Sequence, residues 1–345
     1  MDTFYLEYRD PLFGVIIFFT ILFVISFFSY WWGRHKQTQE HKNLESFLNT
    51  FDNESSDISS QVDKNSLTPE SWLMLSRSYA AQGNFEQSIK IYHALLAKNK
   101  DPIFQKDTLL LLGKSLYSAG FLERSRKTFM QLLSQSPRIP EALHYLLLIY
   151  EQLQQFDKAL EVSLALQEQL GTKSQDKLFL EAKILINDSS IESEQKAQKL
   201  LAIYKDNHDL KYLIFEWLFK NRPSLAWSNF DQSLSYKISD ILYNLSLEDI
   251  DLSVVESNSF LRELYSAKGY LNLAENSSIF ELDLLISLNK HNIKKAALSF
   301  EYSCTHCKQI SFLPFHRCSN CHKIDTIEPS INITKDYFEI GHSFL

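Results

Sequence analysis

The sequence predicts an all-α protein: a solenoid of stacked helix pairs, led by one membrane-spanning helix and followed by a small module built on cysteines. Three observations predict it. An uncharged stretch runs from Pro11 to Gly33, a helix-pair pattern recurs from Trp72 onward, and all four cysteines lie between Cys304 and Cys321. Only 8 glycines and 8 prolines occur in 345 residues, which excludes turn-dense sandwiches and barrels. No Gly-x-Gly-x-x-Gly, Gly-x4-Gly-Lys-Ser/Thr, Gly-x-Ser-x-Gly or His-Glu-x-x-His is present, so the common nucleotide-binding and hydrolase signatures are missing. A net charge of −7 speaks against a general nucleic-acid binder.

The first element, residues 11–33, is apolar from Leu12 to Trp32. About 20 helical residues cross a bilayer core, and only a helix does so with its own backbone hydrogen bonds satisfied. Tyr30, Trp31 and Trp32 stand at one end, where amphipathic rings favour the headgroup layer. Arg34 and Lys36 follow at once, whereas Asp2, Glu7 and Asp10 against Arg9 precede the span. The positive-inside rule then places the N-terminus outside and the chain after Gly33 in the cytoplasm. A cleaved signal peptide would need a basic start, a shorter apolar core and small residues at its cleavage site, and the sequence has none of these. Residues 34–66 are polar, with serines and acids gathered between Asn49 and Ser66, and read as a juxtamembrane segment and linker.

The helical array is expected over 67–298. Thr68-Pro69 is a helix start with Pro at the first helical position. Trp72-x2-Leu75-Ser76-x2-Tyr79-x3-Gly83 continues through Ser88 and Tyr92. Leu109-x2-Leu112-Gly113-x2-Leu116-x3-Gly120 continues through Ser125 and Phe129, and Leu143-x2-Leu146-Leu147-x2-Tyr150 through Ala159 and Ser163. Trp72, Leu109 and Leu143 are 37 and 34 residues apart, and Ser88, Ser125 and Ala159 keep a small residue where the second helix of each pair meets the first. These positions resemble the tetratricopeptide repeat, a 34-residue helix–turn–helix unit, with repeats at 69–102, 106–139 and 140–173. Apolar stripes continue at 178–186, 193–204, 210–220, 238–245, 260–273 and 279–288, without a phase that defines further repeats. By the repeat pattern, Arg77, Lys114, Tyr117, His144 and Glu151 line a concave, partner-binding face.

Cys304-Thr-His-Cys307 and Cys318-Ser-Asn-Cys321 form two Cys-x2-Cys knuckles in a module expected over 299–330, with a tail at 331–345. Each two-residue gap lets both sulfurs point at one ion, so the four cysteines make a tetrahedral thiolate site for one zinc or iron ion. His306, His316 and His322 flank the knuckles as neighbours or substitute ligands. A closed four-thiolate site has no open coordination position and is structural. Thiolates also want a reducing compartment, in agreement with the side assigned from Arg34 and Lys36.

The order of anchor, array and module resembles the lipopolysaccharide assembly protein B family. The likeness is carried by Phe300-x-Tyr302-x-Cys304-x2-Cys307, by His316-x-Cys318-x2-Cys321-x4-Thr326-Ile327-x-Pro329, and by the anchor running into Tyr30-Trp-Trp-Gly-Arg34. Lys308 stands where rubredoxin-type knuckles favour Gly. The resemblance implies a rubredoxin-like or zinc-ribbon module and a single-pass inner-membrane protein with a periplasmic N-terminus. It also implies a non-enzymatic adaptor that promotes proteolysis of the lipid A committed-step deacetylase by a membrane AAA+ protease and couples lipopolysaccharide synthesis to export. Its expected partners are therefore that protease, that deacetylase and other lipopolysaccharide synthesis and export proteins, with self-association left open. Other readings are a membrane-anchored scaffold for a different envelope process and a membrane-tethered nucleic-acid-binding zinc ribbon. Lys308, Arg317 and Lys323 favour the latter, while Glu301, Asp325 and Glu328 offset them.

Overall fold

A computed structural model describes residues 67–335, apart from 172–174, 207–209 and 294–295, together with residues 20, 21, 23, 24 and 27. Apart from those five helical positions, the predicted span 11–33 and the linker 34–66 lie outside the described residues, as do residues 336–345. No helix among the described residues is long and apolar enough to cross a membrane. The chain divides into two compact units, Met1–Ala142 and Leu143–Leu345.

The first unit is built from helix pairs. α1 (Pro69–Ala81) starts where Thr68 accepts a hydrogen bond from the Ser71 amide, and α2 (Phe85–Lys98) starts where Asn84 accepts from Gln87. α3 (Pro102–Ser118), capped by Asp101, and α4 (Leu122–Gln135) repeat the arrangement. α3 begins four residues before the predicted repeat start at 106, because Asp101-Pro102 is itself a cap followed by an N-terminal proline. Trp72, Ile91 and Leu95 form one buried cluster, and Ile89, Tyr92, Leu112 and Leu116 the next.

The turns carry the period. Gly83 N–H donates to Ala80 O and Asn84 N–H to Tyr79 O, closing α1. One repeat on, Gly120 N–H donates to Tyr117 O and Phe121 N–H to Leu116 O. Both glycines lie in the left-handed region, at φ +80° and +81°, where a Cβ is disfavoured. In the third pair Gln154, at φ +58°, makes the same turn without glycine.

The small residues let the helices approach. Ser88 and Ser125 are fully buried, and Ser125 Oγ donates to the Gly113 carbonyl at 2.8 Å. A Cβ added at Gly113 would meet the buried Phe129 ring at 2.6 Å. Gly113→Ala is therefore expected to destabilise the first unit. Overpacking of this kind costs about 1–3 kcal/mol, offset in part by roughly 1 kcal/mol of helix propensity. A urea midpoint equal to or above that of the parent would refute the close approach.

The second unit takes in the rest of α5 (Pro140–Gln152), then α6 (Phe156–Leu170), α7 (Gln175–Asn187), α8 (Ser193–Asp206) and α9 (Lys211–Asn221). Regular pairing then gives way to α10 (Pro223–Ser228), α11 (Ser239–Tyr243), α12 (Leu252–Ser257), α13 (Ser259–Ala267) and α14 (Phe280–Lys290). An aromatic cluster of Phe215, Phe219, Trp227 and Phe230 packs α9 against α10 and the residues after it, with Trp227 Nε1 donating to Asp249 O at 2.8 Å. Asp251 caps α12, accepting from the Ser253 amide. The apolar stripe 260–273 is helical only to Ala267, since Gly269 turns left-handed at φ +76°.

Three antiparallel strands follow, in the order β2 (Ile310–Ser311), β1 (Ala296–Cys304) and β3 (Ile327–Lys335). β1 pairs with β3 from Ala296↔Lys335 to Cys304↔Ile327 and with β2 at Tyr302↔Ser311. β3 thus takes in 331–335, residues assigned from the sequence to the tail, because Ile331 and Ile333 continue the alternation that pairs with β1.

Candidate metal centre

Both knuckles are shaped by the same local backbone pattern. In the first, Lys308 N–H donates to Cys304 O and Cys304 N–H to Gln309 O. In the second, His322 N–H donates to Cys318 O and Cys318 N–H to Lys323 O. Each loop therefore closes at the residue after its second cysteine, and those residues, Lys308 and His322, are left-handed at φ +60° and +58°. Lys308 adopts the conformation for which glycine is favoured.

The four Sγ atoms lie within 4.8 Å of one another. Cys304 and Cys321 sulfurs are 3.7 Å apart, and those of Cys307 and Cys318 are 3.5 Å apart. A tetrahedron of metal–sulfur bonds of about 2.3 Å has edges of roughly 3.8 Å, so the sulfurs already have the spacing of such a site. Among the described residues, the group able to hold an ion consists of these four cysteines, and none of the three flanking histidines joins it. Burial pushes the Cys304 thiol up, but hydrogen bonds from Thr326, whose Oγ1 is 3.2 Å away, and from the Cys307 and His306 amides outweigh it and bring it down to about 6. Burial and the neighbouring sulfurs push Cys321 up to about 12. Four thiolates this close repel one another, and a bound cation supplies the charge that lets all four stay ionised.

The second knuckle is fastened to the helices by the two residues before Cys318. The Arg317 side chain is 8% exposed; its Nε donates to Glu151 Oε2 of α5 at 2.7 Å, its Nη2 to Asp176 Oδ1 of α7 at 2.8 Å and its Nη1 to His322 O at 2.9 Å. The guanidinium also stacks over Phe179, 5.2 Å from the ring centroid. His316 bridges Lys183 Nζ, 3.1 Å from Nδ1, and Glu216 Oε2, 2.6 Å from Nε2. Asp325 accepts from the Tyr212 amide at the start of α9, and the His322 ring lies 5.7 Å from that of His144. The module thus lies against α5, α7 and α9.

Burial raises Glu151, and the charge and hydrogen bonds of Arg317 offset this only in part. For Glu216 the balance is reversed: burial raises it, but the hydrogen bond and charge of His316, followed by Lys183, bring it below its ordinary value.

A second latch joins β1 to α11. Tyr212 and Tyr302 both donate to Asp240 Oδ2, at 2.5 and 3.0 Å, and Asp240 is 3% exposed. Burial raises Asp240 above the ordinary carboxylate range despite the two phenols. A raised folded-state value means that its contribution is fully present below the unfolded pKa and is lost as pH rises through the folded one. Asp240→Asn, which keeps an acceptor for the phenols, is expected to flatten that part of the pH dependence. Urea midpoints with an unchanged slope between pH 4 and 8 would contradict it.

Of the residues assigned to a partner face, Arg77 is exposed on α1, Tyr117 is half-buried on α3, and Lys114 pairs with Glu141. His144 and Glu151 are taken up by the chain's own module. Asp176, Glu216 and Asp240 were not singled out by the sequence, and only their spacing along successive helices would have pointed to them.

The helix pairs match tetratricopeptide-repeat family models over residues 70–101 and 110–172. The chain carries tetratricopeptide repeats. No curated protein matches it. Among solved structures, the chain is similar to a tetratricopeptide repeat protein from Parabacteroides merdae at 16% identity, covering 68% of this chain and 90% of that one, with a TM-score of 0.38. It is also similar to a MamA RS-1 ArsTM double mutant at 15% identity, covering 46% and 89%, with a TM-score of 0.37. A tetratricopeptide array points to a protein-interaction scaffold, here with a four-cysteine site able to hold an ion.

Proposed function

We propose that this tetratricopeptide protein is a non-enzymatic adaptor of the inner membrane that restrains lipopolysaccharide synthesis, presenting the lipid A committed-step deacetylase to a membrane AAA+ protease. One observation carries the scaffold reading. The cysteine site is closed and is fastened to the helices by the residues next to its ligands, so its chemistry serves architecture. The lipopolysaccharide assignment is supported by the order of anchor, array and two-knuckle module and by the family resemblance of its motifs. An anchor that confines the array to the membrane plane raises its effective concentration toward membrane partners. Depletion of the protein is expected to lengthen the lifetime of the deacetylase and raise total lipopolysaccharide. An unchanged lifetime would sink this reading.

A further inference from the structure

We propose that the loop tip at residues 310–314 of the metal module is a second membrane contact, which seats on an anionic bilayer surface. The proposal rests on the inner-membrane reading above. Ile310, Phe312 and Leu313 are 61%, 77% and 74% exposed, whereas Leu298, Tyr302, Ile324, Ile327 and Ile331 of the same module are buried. Elsewhere among residues 67–335, the apolar side chains more than 70% exposed are Met74, Ile103 and Phe280, which stand on three separate helices.

The tip is built, not frayed. β2 pairs Ile310 and Ser311 with β1, and Ser311 Oγ donates to Leu313 O at 2.7 Å while accepting from Leu313 N at 3.2 Å. The turn therefore holds Phe312 and Leu313 outward.

Its charge suits one kind of surface. From Tyr302 to Ile324 the sequence contains no Asp or Glu, and Lys308 and Lys323 are exposed. A projecting aromatic and aliphatic tip with basic flanks matches the headgroup–acyl boundary of an anionic leaflet, where apolar insertion and lysine attraction act together.

The test uses the full chain with a photoreactive benzoylphenylalanine at Phe312, reconstituted in phosphatidylcholine–phosphatidylglycerol nanodiscs. The same probe at Phe280, which is exposed to a similar degree in the same unit, is the control. Lipid adducts at 312 should exceed those at 280 by at least about tenfold and fall several-fold when phosphatidylglycerol is omitted. With the probe moved to Ile310, Phe312→Asp with Leu313→Asp should bring adducts to background while one equivalent of metal is retained. Equal yields at 312 and 280, or adducts at 312 only to a second copy or another protein, would overturn the proposal. If the chain does not insert in nanodiscs but still gives lipid adducts at 312 on mixing with vesicles, the anchor reading fails and the tip stands. No lipid adducts in either format refutes the tip, whatever the fate of the deacetylase on depletion.

Discussion

Cys318→Ser in the full chain is expected to abolish stoichiometric metal binding and unfold the C-terminal module. Structural zinc in small thiolate sites contributes about 10–16 kcal/mol of binding free energy, far more than a short three-stranded sheet gathers from its own core. Leu298, Tyr302, Ile324, Ile327 and Ile331 are its main buried apolar side chains, and β2 is two residues long. Loss of one sulfur leaves three ligands and a serine oxygen, a poor match for a soft tetrahedral site. Protease cleavage should then appear within 296–335, a region the metal-bound parent is expected to protect. A variant that holds one equivalent of metal with unchanged resistance would show that the fourth sulfur is dispensable. Chelation of the parent chain is expected to reproduce the cleavage pattern, and readdition of zinc to reverse it.

Arg317→Ala carries the next largest expected effect, a loss of about 3–5 kcal/mol, because it strands two carboxylates in a buried site. Glu151 and Asp176 keep only 15% and 16% of their side-chain surface exposed, and Arg317 is their shared cation. The loss should grow with pH. Burial already holds Glu151 above its ordinary value with Arg317 present, and removal of the guanidinium raises it further. A raised carboxylate contributes below its unfolded pKa and loses that contribution as pH rises through the folded one. The variant should therefore lie nearer the parent at pH 4 than at pH 7, as read from urea midpoints. Arg317→Met with Glu151→Met and Asp176→Leu should recover most of the stability, since apolar replacement of a whole buried ion cluster is often neutral. A triple variant as weak as Arg317→Ala would show that the site resists apolar repacking.

The parts of the fold that were legible in the sequence are those governed by short-range rules. Thr68-Pro69 announces a helix start, since a side-chain acceptor and a preset φ act within one turn, and Asp101-Pro102 carries the same signal although the repeat pattern set the second start at 106. Gly83 and Gly120 mark turns because a left-handed residue is required after each first helix, while Gln154 makes the same turn with no such mark. The two-residue gap within each knuckle likewise aims two sulfurs without reference to the rest of the chain. Past Asn221 this legibility fades. Short helices such as α11 and α12 are too brief to display a period, and the end of α11 is held by contacts from far along the chain, Lys268 Nζ to the Tyr243 and Leu245 carbonyls.

The cysteines and the repeat phase thus follow from the sequence by itself: one four-sulfur site, and a set of helix faces that share a side. What covers those faces was decided by the tertiary structure. Arg317 finds Glu151 and Asp176 across 166 and 141 residues of chain, and Tyr302 meets Asp240 across 62. No local pattern encodes such pairings. A helical period states only which direction a side chain points, and an acidic residue pointing inward reads the same whether it awaits a partner protein or the arginine beside a cysteine of its own chain.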